Sequence, residues 1–288
     1  MGSRVSLQAY ARGPTTPARF PLTLEAMTGF AQRHPIVAFA VGAIAPTWAV
    51  QLLFLARGWP LFPAFLLELV FLVGSAVVVT ARTEGRPGVR NLFAGVLRWR
   101  FGLGRLAFVL LAMPASTLLI AAVSGSLRNP DGGWGKEIAG YLFLTLIFGA
   151  VLGNVWEETA WAGFAQRRLM DRHGLLVGSA LTAIPFALIH LPMALEGGPG
   201  ARDLAISWAA LILTAPVLRY LLGTVMIDTG GSVLAVAILH ASFNSTQQLG
   251  ALHGQWQIFV ALPLLTLLVA VTRGSTTADT RQLDLSAR

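Results

Sequence analysis

Long apolar stretches separated by short polar or basic segments run through most of the chain. A helix needs about 20 apolar residues to cross the hydrocarbon core of a bilayer. Eight stretches reach or approach that length, namely residues 35–56, 60–81, 106–123, 139–169, 175–195, 204–222, 231–249 and 256–271. The pattern therefore predicts an all-α, polytopic membrane protein with about eight transmembrane helices.

Composition agrees with this pattern and excludes most soluble classes. Hydrophobic residues make up 55% of the 288 residues and charged residues only 12%, which lies outside the range of soluble globular domains. We expect one transmembrane domain over residues 35–272, between cytoplasmic tails at residues 1–34 and 273–288. The chain has no cysteine, so disulfides, cysteine metal ligands and a cysteine nucleophile are excluded.

The positive charge follows the segments between the apolar stretches. A net charge of +8 could indicate nucleic-acid binding, but the basic residues are dispersed along the chain. If the N-terminus is cytoplasmic and the chain crosses eight times, 17 of the 21 basic residues lie on the cytoplasmic side. The positive-inside rule accounts for this distribution. We therefore expect both termini in the cytoplasm, the lipid bilayer as a partner and no nucleic acid.

Two adjacent carboxylates, Glu157 and Glu158, lie inside the fourth apolar stretch. An ionisable group at membrane depth is costly and indicates a functional site by default. Neighbouring residues on a helix point about 100° apart. We therefore expect only one of the two to aim squarely at the histidines of the other apolar stretches, while the second needs a partner of its own.

Three further polar residues lie at a similar depth on other predicted helices. They are His190 on the fifth and His240 and Asn244 on the seventh. At about 1.5 Å per residue, the polar residues lie roughly 14 to 23 Å from the cytoplasmic ends of their helices. The sequence therefore predicts one site formed by helices four, five and seven.

Three short motifs carry a family resemblance. They are Glu-Glu-x-x-Trp-x-Gly-Phe at residues 157–164, Phe-x-x-x-His at 186–190 and His-x-x-x-Asn at 240–244. Together and in this order they resemble the motifs of the CPBP family of intramembrane proteases, which includes type II CAAX prenyl proteases and bacteriocin-processing and immunity relatives. The resemblance covers about residues 139–249. It implies an endopeptidase of a bacterial cell membrane that acts on a peptide or a membrane protein.

One position departs from the family pattern. The first motif usually ends in an arginine, and Ala162 occupies that position. Glu158 thereby loses an i,i+4 partner, unless a basic residue from elsewhere reaches it; the candidates are Arg167, Arg168 and Arg219. For Arg219, near the end of the sixth apolar stretch, we expect instead that the side chain snorkels to the cytoplasmic interface.

Two mechanisms are open at this point. Glu157 could act as general base on a water that His190 orients, with His240 and Asn244 donating hydrogen bonds to the oxyanion. Alternatively, Glu157, His190 and His240 form a ligand set for a divalent metal such as zinc, with Glu158 as base. The sequence alone does not separate them.

Two other functions remain as alternatives to the endopeptidase. A catalytically inactive immunity or scaffold protein would use the same pocket to bind a peptide. A proton-coupled transporter would use the glutamates and histidines as a proton relay, although no internal repeat is visible in the sequence.

Overall fold

The computed structural model is all-helical and describes residues 24–286, with side chains described from residue 29 to 273. Part of the predicted N-terminal tail (residues 1–23) and the last two residues therefore lie outside the described residues. The α-helices are α1 (Leu24–Arg33), α2 (Pro35–Ala56), α3 (Phe62–Thr83), α4 (Gly85–Ala94), α5 (Leu103–Val123), α6 (Gly133–Leu142), α7 (Val155–Ala160), α8 (Arg167–His190), α9 (Ala201–Asp228), α10 (Val233–Thr246) and α11 (Trp256–Ser286). Between residues 24 and 286 no β-strand forms, and one isolated bridge joins Leu127 to Leu252.

Two π-helices flank the short helix that carries the glutamate pair. The first π-helix spans Phe143–Asn154 and the second spans Trp161–Gln166, so that α7 is a single α-helical segment between them. π-Helical turns are rare and occur frequently at functional sites. Because the wider turn changes the angular position of every following side chain, it sets the directions in which α7 presents its carboxylates.

Six helical stretches of the described chain are long and apolar enough to cross a membrane, whereas the sequence predicted about eight. One reason is that residues 133–195 form one continuous helical stretch, which contains two of the predicted spans. Gly174, with φ 76° and ψ 172°, breaks the helix between them. The other is that α10 has 14 residues, or about 21 Å of helix, which is short for a span.

Large apolar side chains cover the outer surface of the long helices. Exposed examples are Val41 on α2, Val70 on α3, Leu119 on α5 and Leu268 on α11. A helix that is apolar on its outer face as well as on its packed face belongs in lipid rather than in water. The chain is therefore a multi-pass membrane protein.

Helix α10 is buried among several neighbouring helical segments. It contacts the first π-helix, α5, α7 and α9, and twelve of its fourteen residues are buried. The Ser232 side chain caps its N-terminus by accepting a hydrogen bond from the Ala235 backbone N–H at 3.1 Å. Surrounded by protein on most sides, α10 places His240 inside the bundle and Asn244, the one exposed residue of the helix, at its border.

Close approach of the two arms of α8 depends on glycine. The chain reverses at Gly174, and a Cβ added at Gly178 would lie 2.6 Å from the backbone of Met170. Contacts this short do not occur in real structures. Only glycine therefore allows the second arm, which carries His190, to pack closely on the first.

We predict that Gly178→Ala lowers the free energy of unfolding of the purified protein by about 1–3 kcal/mol, the usual cost of overpacking, and so lowers its melting temperature. Gly140→Ala in α6 is the matched control, because no atom lies within 4 Å of the added Cβ. That control should be neutral or gain up to about 1 kcal/mol from helix propensity. Equal melting temperatures for the two variants in detergent would contradict the close packing.

Candidate active site

Glu158 is fully buried and makes three short polar contacts. Nη1 of Arg219 donates to both of its carboxylate oxygens, at 2.8 and 2.9 Å. Its Oε1 also lies 2.8 Å from Nδ1 of His240. The carboxylate therefore links α9 to α10 and holds one nitrogen of the histidine ring.

Arg219 is also fully buried, so the expectation that it snorkels to the membrane interface was wrong. Its Nε donates to Oε1 of Gln166 at 2.9 Å, and Nη2 contacts the same oxygen. Gln166 in turn donates to the backbone carbonyl of Arg219 at 2.6 Å. Carboxylate and amide oxygens take the place of water around the guanidinium. A buried charge is tolerated when it is paired and hydrogen-bonded in this way.

Glu157 lies beside the two histidines. Its Oε1 is 3.7 Å from Nε2 of His190, and its Oε2 is 3.9 Å from Nδ1 of His240. Oε2 accepts a hydrogen bond from the side chain of Asn154 at 3.0 Å, whereas Oε1 is buried without a hydrogen-bond partner among the described residues. The expectation that only one glutamate can aim at the histidines was wrong, because both carboxylates approach His240. The expected separate partner is present, since Arg219 pairs with Glu158.

The hydrogen bonds define which nitrogen of each histidine carries a proton. Nδ1 of His190 lies 2.7 Å from the carbonyl oxygen of Phe186, and a carbonyl can only accept. His190 therefore carries its proton on Nδ1, and in the neutral ring Nε2 is an acceptor that faces Glu157. In the same way Glu158 accepts from Nδ1–H of His240, which leaves Nε2 of that ring for another partner.

A cavity of about 700 Å³ opens beside these groups. Glu157, His190, His240 and Asn244 contribute to its wall, while α3 and the first π-helix supply apolar side chains such as Phe65 and Phe148. A few polar groups in a mostly apolar wall are typical of a ligand-binding pocket. Asn244 lies one turn beyond His240 on α10, and its side chain is exposed where α10 borders the cavity.

The three predicted metal ligands do not form a metal-binding group in this arrangement. Within residues 29–273, no group of three or more histidine or acidic side chains is placed to hold a metal ion. Nδ1 of His240 is engaged by Glu158, which leaves Nε2 as the ring nitrogen that could bind a metal. The divalent metal therefore stays a prediction of the sequence.

Sequence reasoning missed a third carboxylate in the membrane. Glu68 on α3 is fully buried and accepts a hydrogen bond from Gln51 of α2 at 2.8 Å. Its other oxygen has no hydrogen-bond partner among the described residues, and α3 packs against α7. The criterion that identified Glu157, a carboxylate inside an apolar stretch, applies equally to Glu68.

Comparison with protein families locates this site within a known domain. Residues 139–246 match the family described as type II CAAX prenyl endopeptidase Rce1-like. This part of the chain belongs to the CPBP family of Rce1-like intramembrane proteases. No curated protein sequence matches the chain significantly. The matched residues contain both glutamates, both histidines and Asn244, and they agree with the extent of the resemblance in the sequence.

Membership of a protease family gives the buried cluster a chemical context. The Rce1-like family implies a protease and hence a peptide substrate next to the bilayer. The buried group formed by Glu157, Glu158 and His240 is consistent with a catalytic site. It also contains an arginine that does not come from the first motif.

Proposed function

We propose that the protein is an intramembrane endopeptidase that cleaves a peptide bond of a membrane-associated or peptide substrate with a water activated by Glu157. The observation that carries the proposal is the facing pair of acceptor atoms, Glu157 Oε1 and His190 Nε2, 3.7 Å apart at the cavity. At that separation a water can donate one hydrogen bond to each atom. Its lone pair then points towards a substrate carbonyl.

Glu157 acts as the general base in this mechanism. The water oxygen attacks the carbonyl carbon while one of its protons moves to Oε1 of Glu157. Asn154 donates to Oε2 at 3.0 Å, which directs Oε1 to the water. His190, fixed through the Phe186 carbonyl, accepts a hydrogen bond from the second O–H of the water and so orients it; that hydrogen stays on the attacking oxygen.

His240 and Asn244 stabilise the oxyanion of the tetrahedral intermediate. Glu158 holds His240 through Nδ1, and the imidazolium form donates from Nε2. With Glu157 and Glu158 ionised and Arg219 charged, an imidazolium at His240 makes this buried group neutral overall. Donors fixed before the reaction lower the barrier because no reorganisation is needed as charge develops.

Collapse of the intermediate completes the reaction. The carbon–nitrogen bond breaks, and the proton on Glu157 passes to the leaving amine nitrogen. The products are a free amine and a carboxylic acid, so one water is consumed for each bond broken. Glu157 returns to its ionised state, and no metal takes part in any step.

We predict that cleavage of a fluorogenic peptide library by the purified protein requires these side chains. Glu157→Gln and His190→Ala should each lower kcat by at least about 100-fold, because general acid–base catalysis contributes about 10²–10⁴-fold. Asn244→Ala should lower kcat by roughly 10²-fold as the loss of one oxyanion donor. Initial rates in detergent or liposomes measure these effects.

His253→Ala is the matched control, since His253 is exposed and is not part of the cavity wall; it should cleave at the wild-type rate. Cleavage that survives Glu157→Gln would contradict the mechanism. The same assay with a chelator tests the metal alternative: activity should be unchanged, and loss of activity that zinc restores would favour a metalloprotease.

We further propose eight passes of a bacterial cell membrane with both termini in the cytoplasm. The Glu84–Arg168 and Arg98–Gly230 contacts join residues assigned to the cytoplasmic side. Two contacts at the other end of the bundle join residues assigned to the outside, namely Leu61 with Glu196 and Leu127 with Leu252.

These contacts support two crossings beyond the six long apolar helices. Helix α5 separates Arg98 from Leu127, and their respective partners Gly230 and Leu252 lie on either side of α10. The short helix α10 therefore runs alongside α5 from one end to the other. Similarly, Arg168 contacts Glu84 at one end of α3, and Glu196 contacts Leu61 at the other end. The chain from Arg168 to Glu196 therefore crosses the membrane once, in the segment after Gly174.

Cysteine labelling tests this topology without background, because the chain contains no cysteine. We predict that a membrane-impermeant maleimide labels Asp131→Cys in intact cells but labels Arg90→Cys only after permeabilisation. The reverse pattern would invert the proposed orientation. Labelling of both positions in intact cells would contradict the odd number of passes between them.

A further inference from the structure

We propose that Arg219 is a positioning residue that replaces the arginine missing at Ala162 and thereby keeps the site competent. This inference rests on the proposed endopeptidase function and assigns a role to a residue outside the three motifs. Arg219 lies on α9, 57 positions after Ala162, so the charge reaches Glu158 from another helix rather than from the next turn of the same one.

Other arginines do not provide this charge. Arg168 contacts Glu84 at the surface, and Arg167 is exposed. Neither makes a hydrogen bond or ion pair with Glu158 in the described structure. Arg219, by contrast, donates to both oxygens of Glu158 from a fully buried position.

The arginine is itself fixed from several sides. Gln166 accepts from its guanidinium and donates to its backbone carbonyl. Gln166 also donates to the hydroxyl of Ser179 at 3.0 Å, which connects the arrangement to the second arm of α8. The guanidinium carbon lies 5.3 Å from the centre of the Phe186 ring, within the range of a cation–π interaction. These contacts leave the Arg219 side chain few orientations other than the observed one.

The effect of Arg219 on catalysis passes through Glu158 and His240. Arg219 is not part of the cavity wall, so it does not contact substrate. It orients the Glu158 carboxylate, which holds Nδ1 of His240 and so aims Nε2. A buried ion pair adds little net stability compared with apolar packing, so its contribution here is orientation of the histidine.

Four variants test the positioning role in the purified full-length protein. Arg219→Met keeps an unbranched side chain without the charge, and Arg219→Lys keeps the charge. Glu158→Gln removes the carboxylate charge alone, and Glu158→Gln/Arg219→Met removes both charges. Leu222→Ala, equally buried on the same helix, controls for lost stability. Each is assayed for kcat and KM, and 15N-histidine NMR reports the hydrogen bond that Nδ1–H of His240 donates to Glu158.

We expect Arg219→Met to lower kcat by about 100-fold, as misplacement of a reacting group does, with little change in KM. Arg219→Lys should recover part of that loss. The double variant should have a kcat no more than about twofold below that of Glu158→Gln alone, because the effects of residues that act together are not additive. In the NMR spectrum, the Nδ1–H signal of His240, which reports its hydrogen bond to Glu158, should keep its chemical shift in Leu222→Ala and move in Arg219→Met.

Two results would overturn the inference: a kcat of folded Arg219→Met within about threefold of wild type, or losses from Glu158→Gln and Arg219→Met that multiply in the double variant. If the wild-type protein cleaves no peptide, the proposed function fails. In that case the NMR comparison alone decides the positioning role, and an unchanged His240 signal in Arg219→Met would refute it.

Discussion

The ion pair between Glu158 and Arg219 is the interaction on which the site depends. It lies inside a helical bundle whose outer surface is apolar, where an unpaired charge would be prohibitively costly. Removing either partner from such a pair typically costs about 3–5 kcal/mol, because the other charge is left buried and uncompensated. Through Glu158 the pair holds His240, and it leaves Glu157 free of any countercharge from arginine. The two adjacent glutamates thus have different environments: Glu158 is bound to Arg219 and His240, and Glu157 faces the cavity.

The central position of α10 explains how three helices meet at one point. Ringed by α5, α7, α9 and the first π-helix, it contributes a histidine and an asparagine one turn apart to a cavity bounded by Glu157. Its 14 residues would be short for a helix exposed to lipid, but protein surrounds most of its surface. Glu157 and Glu158 both approach His240, at 3.9 and 2.8 Å from its Nδ1, although neighbours on a regular helix point about 100° apart.

Several features followed from the sequence because they depend on local composition or spacing. Apolar stretches predicted the long helices, and depth along those helices predicted that Glu157, His190 and His240 meet. The π-helices were not predictable, since a uniformly apolar run carries no periodicity that reveals its register. The pairing of Arg219 was not predictable either, because it requires the relative rotation of α7 and α9. Glu68 was visible in the sequence and was overlooked beside the motifs.

The central claim is that water, activated by Glu157, attacks the peptide bond directly. A single-turnover reaction in ¹⁸O-labelled water, followed by mass spectrometry of the products, tests it most directly. Direct attack predicts one ¹⁸O atom in the new carboxylate of the first product formed. If Glu157 instead attacked the carbonyl and water then opened the resulting anhydride at the glutamyl carbon, the first product would carry an unlabelled oxygen from the enzyme and the label would appear on Glu157. That result would contradict the account.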